Sequence, residues 1–134
     1  VIETIESAIV NKLEEAITDL KVVAFPSAAT DFKKLPFKNG LVLVAYAGSG
    51  FSEPSNRDKI IQRRVMEFSI TLQVRDLRGH QGAYDYLETI VETLTGFSPM
   101  SDKSVMFMTD EKLLQFADNN WVWAQTWQLE GRQV

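Results

Sequence analysis

Residues Arg64 to Arg75 constrain this chain more than any other stretch. Arg64, Met66, Phe68, Ile70, Leu72 and Val74 alternate with Val65, Glu67, Ser69, Thr71, Gln73 and Arg75. The first set is apolar after Arg64, and the second is mostly polar. A period of two sends successive side chains to opposite faces of a strand. The spacing therefore predicts a long strand with one core face and one wetter face.

The rest of the chain suggests what covers that face. Ile2, Ile5, Ile9, Leu13, Ala16, Ile17 and Leu20 recur at helical three-and-four spacing, with Glu3, Glu6, Asn11, Lys12, Glu14 and Glu15 between them. This is an amphipathic helix with one buried stripe. Ala83, Tyr84, Leu87, Ile90, Val91 and Leu94 give a second stripe, stopped by Gly96 and Pro99. "KVVAF", Lys21 to Phe25, reads as a short strand that Pro26 ends or confines to an edge. "LVLVAYA", Leu41 to Ala47, follows the turn dipeptide Asn39–Gly40 and reads as a strand covered on both faces. "SVMFM" begins a further strand, interrupted by "TDEK" and resumed by "LLQF". "ADNN" is a turn, and "WVWAQTWQL", Trp121 to Leu129, is the last strand. Two separated helices among consecutive strands predict an α+β fold in a single domain spanning 1–134. It has a mainly antiparallel sheet of about five strands with two helices on one face.

Composition closes several routes to function. The chain has 134 residues, with 45% hydrophobic and 24% charged, the balance of an ordinary globular domain. It has no cysteine, which excludes disulfides, thiolate chemistry and cysteine-held zinc or iron–sulfur. No apolar run approaches the roughly 18–20 residues of a membrane-spanning helix, so no membrane partner is expected. A net charge of −4 argues against general nucleic-acid binding, whose footprint is basic.

The polar stretch "YAGSGFSEPSNRDKIIQRR", Tyr46 to Arg64, invites a chemical reading. A phosphate loop needs a Lys–Ser/Thr pair and an immediate helix, and neither follows "GSG". The stretch reads better as the tip of a long hairpin. His80 is the sole histidine, with Asp76 and Asp85 near it in sequence, and "GHQG" reads as the start of a helix with His80 at or near its cap. Glu53, Asp58 and Glu67 read as solvated charge. No catalytic, cofactor or metal site is expected. Ser52, Arg57, Lys59, Arg63 and Arg64 surround the hairpin and form a candidate contact with a partner or a second subunit. Trp121, Trp123 and Trp127 share one strand face. Core packing is the usual reason for such a row, a subunit interface through Trp121 and Trp123 is the alternative, and a base-stacking platform is a third choice that the acidic balance and missing basic interleaving weigh against.

"IETIESAIVNKLEEAI", "LKVVAFP", "GLVLVAYAGSGFSEP", "RRVMEFSITLQVRDLRGHQGAYDYLETIVETLTGF" and the closing "WVWAQTWQL" together resemble the phage tail terminator proteins of Mu-like prophages. The likeness runs along nearly the whole chain, and "LRGHQGAY", Leu77 to Tyr84, is its most specific part. The resemblance implies a structural protein of the virion tail, assembled in the bacterial host cytoplasm. It implies a homo-oligomeric ring, commonly a hexamer, that caps the tail tube and ends its growth. The implied partners are the tube protein, the sheath of a contractile tail and the neck or head-completion proteins. It implies no enzyme activity and no cofactor. A head–tail joining protein is the nearest alternative. A small hydrolase or nucleotide-binding domain using His80 and the glycines is the alternative from another class.

Overall fold

The alternating stretch forms the middle strand of a five-stranded sheet. The computed structural model describes residues 1–26, 39–54, 62–79, 82–100, 104–117 and 119–133. Its elements are α1 (Ile2–Ala16), β1 (Lys21–Ala24), β2 (Gly40–Phe51), β3 (Gln62–Val74), α2 (Ala83–Leu94), β4 (Met106–Ala117) and β5 (Asn120–Gln133). The strand order is β1-β2-β3-β5-β4. β1 runs parallel to β2, and the other three pairings are antiparallel. Pro26 follows an edge strand, where its missing donor does no harm.

Register decides which side chains meet. Met66, Phe68, Ile70, Leu72 and Val74 of β3 lie opposite Leu129, Trp127, Gln125, Trp123 and Trp121 of β5. On the other side, Val42, Val44 and Tyr46 lie opposite Leu72, Ile70 and Phe68. Directly opposed residues point to the same face, so these rows form one apolar floor. Ile5, Ile9 and Leu13 of α1 and Leu87, Ile90 and Leu94 of α2 are buried in the same core cluster. Each fully buried aliphatic side chain of this kind contributes about 1.5–3 kcal/mol of transfer free energy. One sheet with both helices on one face is the α+β arrangement predicted.

Several boundaries differ from expectation. α1 ends at Ala16, because Ile17 turns extended (φ −124, ψ 96) while its N–H still bonds Leu13 O. Ile17 and Leu20 remain buried, so the apolar stripe outlasts the helix that carries it. The "GSG" segment is not a loop. It continues β2 as far as Phe51, because β3 offers partners out to Arg64, and a bulge between Tyr46 and Gly48 absorbs the extra residue. β4 runs unbroken through "TDEK", with bulges between Met108 and Asp110 and between Leu113 and Gln115. β5 continues past Leu129 to Gln133.

Two glycines are fixed by contact. A Cβ on Gly40 would sit 2.8 Å from Gln73 O, and one on Gly82 would sit 2.6 Å from Arg78 O. Gly82 is the N-cap of α2, and among the described residues no side chain caps that helix. Its first N–H groups instead bond backbone carbonyls, Ala83 to Asp76 at 2.7 Å and Tyr84 to Leu77 at 3.0 Å. His80, expected at this cap, lies outside the described residues.

A polar contact ties α2 to the turn after α1: the Tyr86 hydroxyl donates to Asp19 Oδ2 at 2.5 Å. Tyr86→Phe is expected to lower stability by about 1–2 kcal/mol, read as a lower urea midpoint at neutral pH. Burial first, and the Asp19 carboxylate second, push the Tyr86 hydroxyl well above its ordinary range. The unfolded chain releases this proton above about pH 10, whereas the folded chain keeps it. The contribution is therefore complete below about pH 10 and is lost as pH rises further. The Phe variant should lose less stability than the parent between about pH 9 and 11. Equal losses in the two proteins would refute this role.

Candidate functional site

The sequence candidates fall at opposite ends of the sheet. At one end, β2 and β3 close through Ser52. Its N–H bonds Arg63 O at 2.9 Å, and its Oγ accepts from Arg63 N at 2.8 Å. Gln62 Nε2 donates to Ser52 O at 3.0 Å. Ser52 thus braces the hairpin where the paired strands stop. Arg63 points to the face without helices and holds Glu130 of β5, with Nη2 2.6 Å from Oε1, while staying 68% exposed. An exposed pair of this kind orients its side chains and adds little stability.

Arg64 points to the other face and joins a small cluster that the sequence did not reveal. Its Nε donates to Ser49 Oγ at 3.1 Å and its Nη2 to the Tyr46 hydroxyl at 3.4 Å. Tyr46 and Ser49 share a short hydroxyl–hydroxyl bond. The Arg64 guanidinium also lies over the Phe51 ring, 5.4 Å from its centroid. The Ser49 bond, then Arg64, hold the Tyr46 hydroxyl below its usual range. Tyr46, Ser49 and Phe51 meet here because the bulge shifts the face alternation of β2 by one residue. Arg57 and Lys59 lie outside the described residues.

The other end carries the tryptophans. Trp127 is fully buried in the core, whereas Trp121 and Trp123 are half-buried. Trp121 stacks on Phe116 across the β4–β5 hairpin at 4.4 Å, and Trp123 meets the edge of Tyr84 at 6.2 Å. Trp123 Nε1 is buried and, among the described residues, has no hydrogen-bond partner. The same end exposes Leu113, Leu114 and Phe116, the last at 54%. β4 is an edge strand, and native edges of this length seldom present such apolar side chains bare.

Between α2 and β4 runs a groove that opens onto the aromatic end. Leu87, Val91 and Met108 form its floor, Tyr84 stands at one end, and Glu88, Glu92 and Glu111 rim it. Gln125 fixes one wall. It is buried on the helix face, donates to Glu111 Oε2 at 2.7 Å and Leu87 O at 3.2 Å, and accepts from Trp127 Nε1 at 2.9 Å. A polar residue between Trp123 and Trp127 on an apolar strand face was the available signal, because such a residue needs partners.

The two ends cannot form one site. Arg64 and Val74, the latter opposite Trp121, are ten residues apart on β3, or roughly 33 Å. Among the described residues, no group of three or more His, Asp or Glu side chains gathers as metal ligands would. Among the described residues, no helix is long and apolar enough to cross a membrane.

Comparison with known proteins gives two results. A family described as Gp37 protein matches residues 9–134. A chain in a solved structure of the virion of a native gene transfer agent particle shares the fold, with a TM-score of 0.53 and 12% identity over 94% of each chain. No curated protein matches.

Gln125→Ala would strand the buried Trp127 Nε1 and unlink Glu111. It is expected to cost about 1–3 kcal/mol in chemical denaturation. A loss below about 0.5 kcal/mol would show that the groove wall does not depend on this residue.

Proposed function

The chain belongs to the Gp37 protein family, and on that premise we propose that it is a structural protein of a phage-like virion that acts as a tail terminator. It forms a homo-oligomeric ring on the last ring of the tail tube, ends polymerisation and prepares the tube end for the neck or head. The fold likeness to a chain of a gene transfer agent virion, over 94% of both chains, supports the virion reading. The tail-terminator resemblance along the sequence supports the finer role. The reading assigns no catalytic, cofactor or metal site.

One structural observation carries the ring. The candidate contact groups lie at opposite ends of the sheet, with cations at one and exposed aromatic and aliphatic side chains at the other. Unlike patches on distant parts of one subunit make head-to-tail contacts, which close into rings when the rotation allows. A head–tail joining protein is the second reading, because the virion likeness does not single out the tail.

Light scattering across a concentration series, with negative-stain images of the same sample, should give a mass near about six copies and visible rings. A monomer at every concentration would move the reading to the joining protein. Substituting Arg57, Arg63 and Arg64 together by alanine should impair tail completion and leave the monomer folded by circular dichroism, with a modest drop in thermal midpoint because Arg64 gives up its bonds to Ser49 and Tyr46 while the exposed Arg63 pair adds little. Normal tails from that variant would remove the hairpin from the contact surface.

A further inference from the structure

We propose that the groove between α2 and β4 receives a short basic amphipathic helix of another virion protein. The inference rests on the virion reading for the source of that partner. Position is the first argument. Met108 lies opposite Trp127, which lies opposite Phe68, and Glu111 lies opposite Gln125, which lies opposite Ile70. The groove is therefore level with the middle of β3. Subunit contacts through the two ends of the sheet leave it open.

Its two walls select a helix. On the α2 side, Tyr84, Leu87 and Val91 fall on one stripe over two turns, roughly 11 Å. On the β4 side, Met108 and Glu111 flank the bulge between Met108 and Asp110. That bulge breaks the backbone spacing an added strand would need, so the occupant docks by side chains. A helix with apolar residues at three-and-four spacing presents them over the same two turns. The groove measures about 310 Å³, room for inserted side chains and not for the body of a helix.

Charge selects the flanks of that helix. Glu88, Glu92 and Glu111 rim the apolar floor. Glu111 is held by Gln125, but among the described residues the Glu88 and Glu92 carboxylates have no partner in the chain. They stand four apart on α2, where like charges repel, and a base from outside relieves both. A second copy is a poor source. Its two helices hold seven acidic residues against one lysine. Among the described residues, the base beside exposed aliphatic side chains is Lys112, followed by Leu113 and Leu114. These lie on β4 itself, so a second copy would bring them only with β4 facing β4. Such a contact is twofold and pairs copies instead of closing a head-to-tail ring.

Capped peptides of about 14 residues, roughly 21 Å of helix, are the probes. One carries leucine at three-and-four spacing and lysine elsewhere, and the other has glutamate in place of every lysine. Anisotropy of the labelled peptides, titrated with the intact chain, reads the affinity. The lysine peptide should bind about tenfold tighter than the glutamate peptide. Glu88→Lys with Glu92→Lys should reverse that preference. Val91→Thr keeps the shape of the floor, adds a hydroxyl to it and should weaken the lysine peptide several-fold. Glu3→Lys with Glu15→Lys makes the same change of net charge on α1 and should leave the preference in place. Equal effects of the two reversals, or no binding of the lysine peptide, would overturn the proposal. Light scattering separates it from the ring reading. The variant with a reversed rim should keep the parent's mass, and a lower mass would put a second copy in the groove and overturn the proposal. Rings without peptide binding would overturn this contact alone, whereas a monomer that binds the lysine peptide at the rim would keep the contact and remove the ring.

Discussion

The structure depends on β3 being paired along its length on both sides. β2 and β5 take its backbone groups, and its apolar row becomes the floor under both helices. A slip of one residue would turn Met66, Phe68, Ile70, Leu72 and Val74 toward the face without helices. Gly40 resists that slip, because it leaves no room for a side chain against Gln73 and Val74. The same register places Arg64 beside Phe51 at one end and Val74 beside Trp121 at the other. The positions of the candidate contact groups are therefore consequences of core formation.

Much of this was legible because it follows from periodicity. The β3 alternation, both helical stripes, the shared face of the three tryptophans and the strand order along the chain all appear in local spacing. What escaped was non-local. "GSG" reads as a loop until β3 supplies partners for it, and "TDEK" reads as a break until bulges on an edge strand let polar residues continue it. The candidate contacts were partly legible. Arg63, Arg64, Trp121 and Trp123 were named from residue type. The Tyr46–Ser49–Arg64 cluster and the Gln125 links were not, because one needs a bulge and the other a helix carbonyl thirty-eight residues away. Exposure of Leu113 and Phe116 could not be read either, since it depends on where the helical layer stops covering the sheet.

Charge is segregated between the layers. The two helices hold seven acidic residues against one lysine, while the rest of the chain holds eleven acids against thirteen bases. The acidic layer faces away from the sheet, and its α2 members Glu88 and Glu92 rim the groove. In the proposed ring, a chain polarised in this way favours unlike patches meeting over like patches meeting, which is the requirement of a head-to-tail contact.

The two bulges in β4 bear on how such a contact can end. A regular edge strand invites another strand, and repeated strand addition has no natural stop. Each bulge breaks the even spacing of backbone donors and acceptors on that edge. In the proposed ring, exposed Leu113, Leu114 and Phe116 are then better covered by side chains that fit them than by another strand. Side-chain fit of this kind fixes one angle between neighbours, and a fixed angle is what lets a head-to-tail series close on itself.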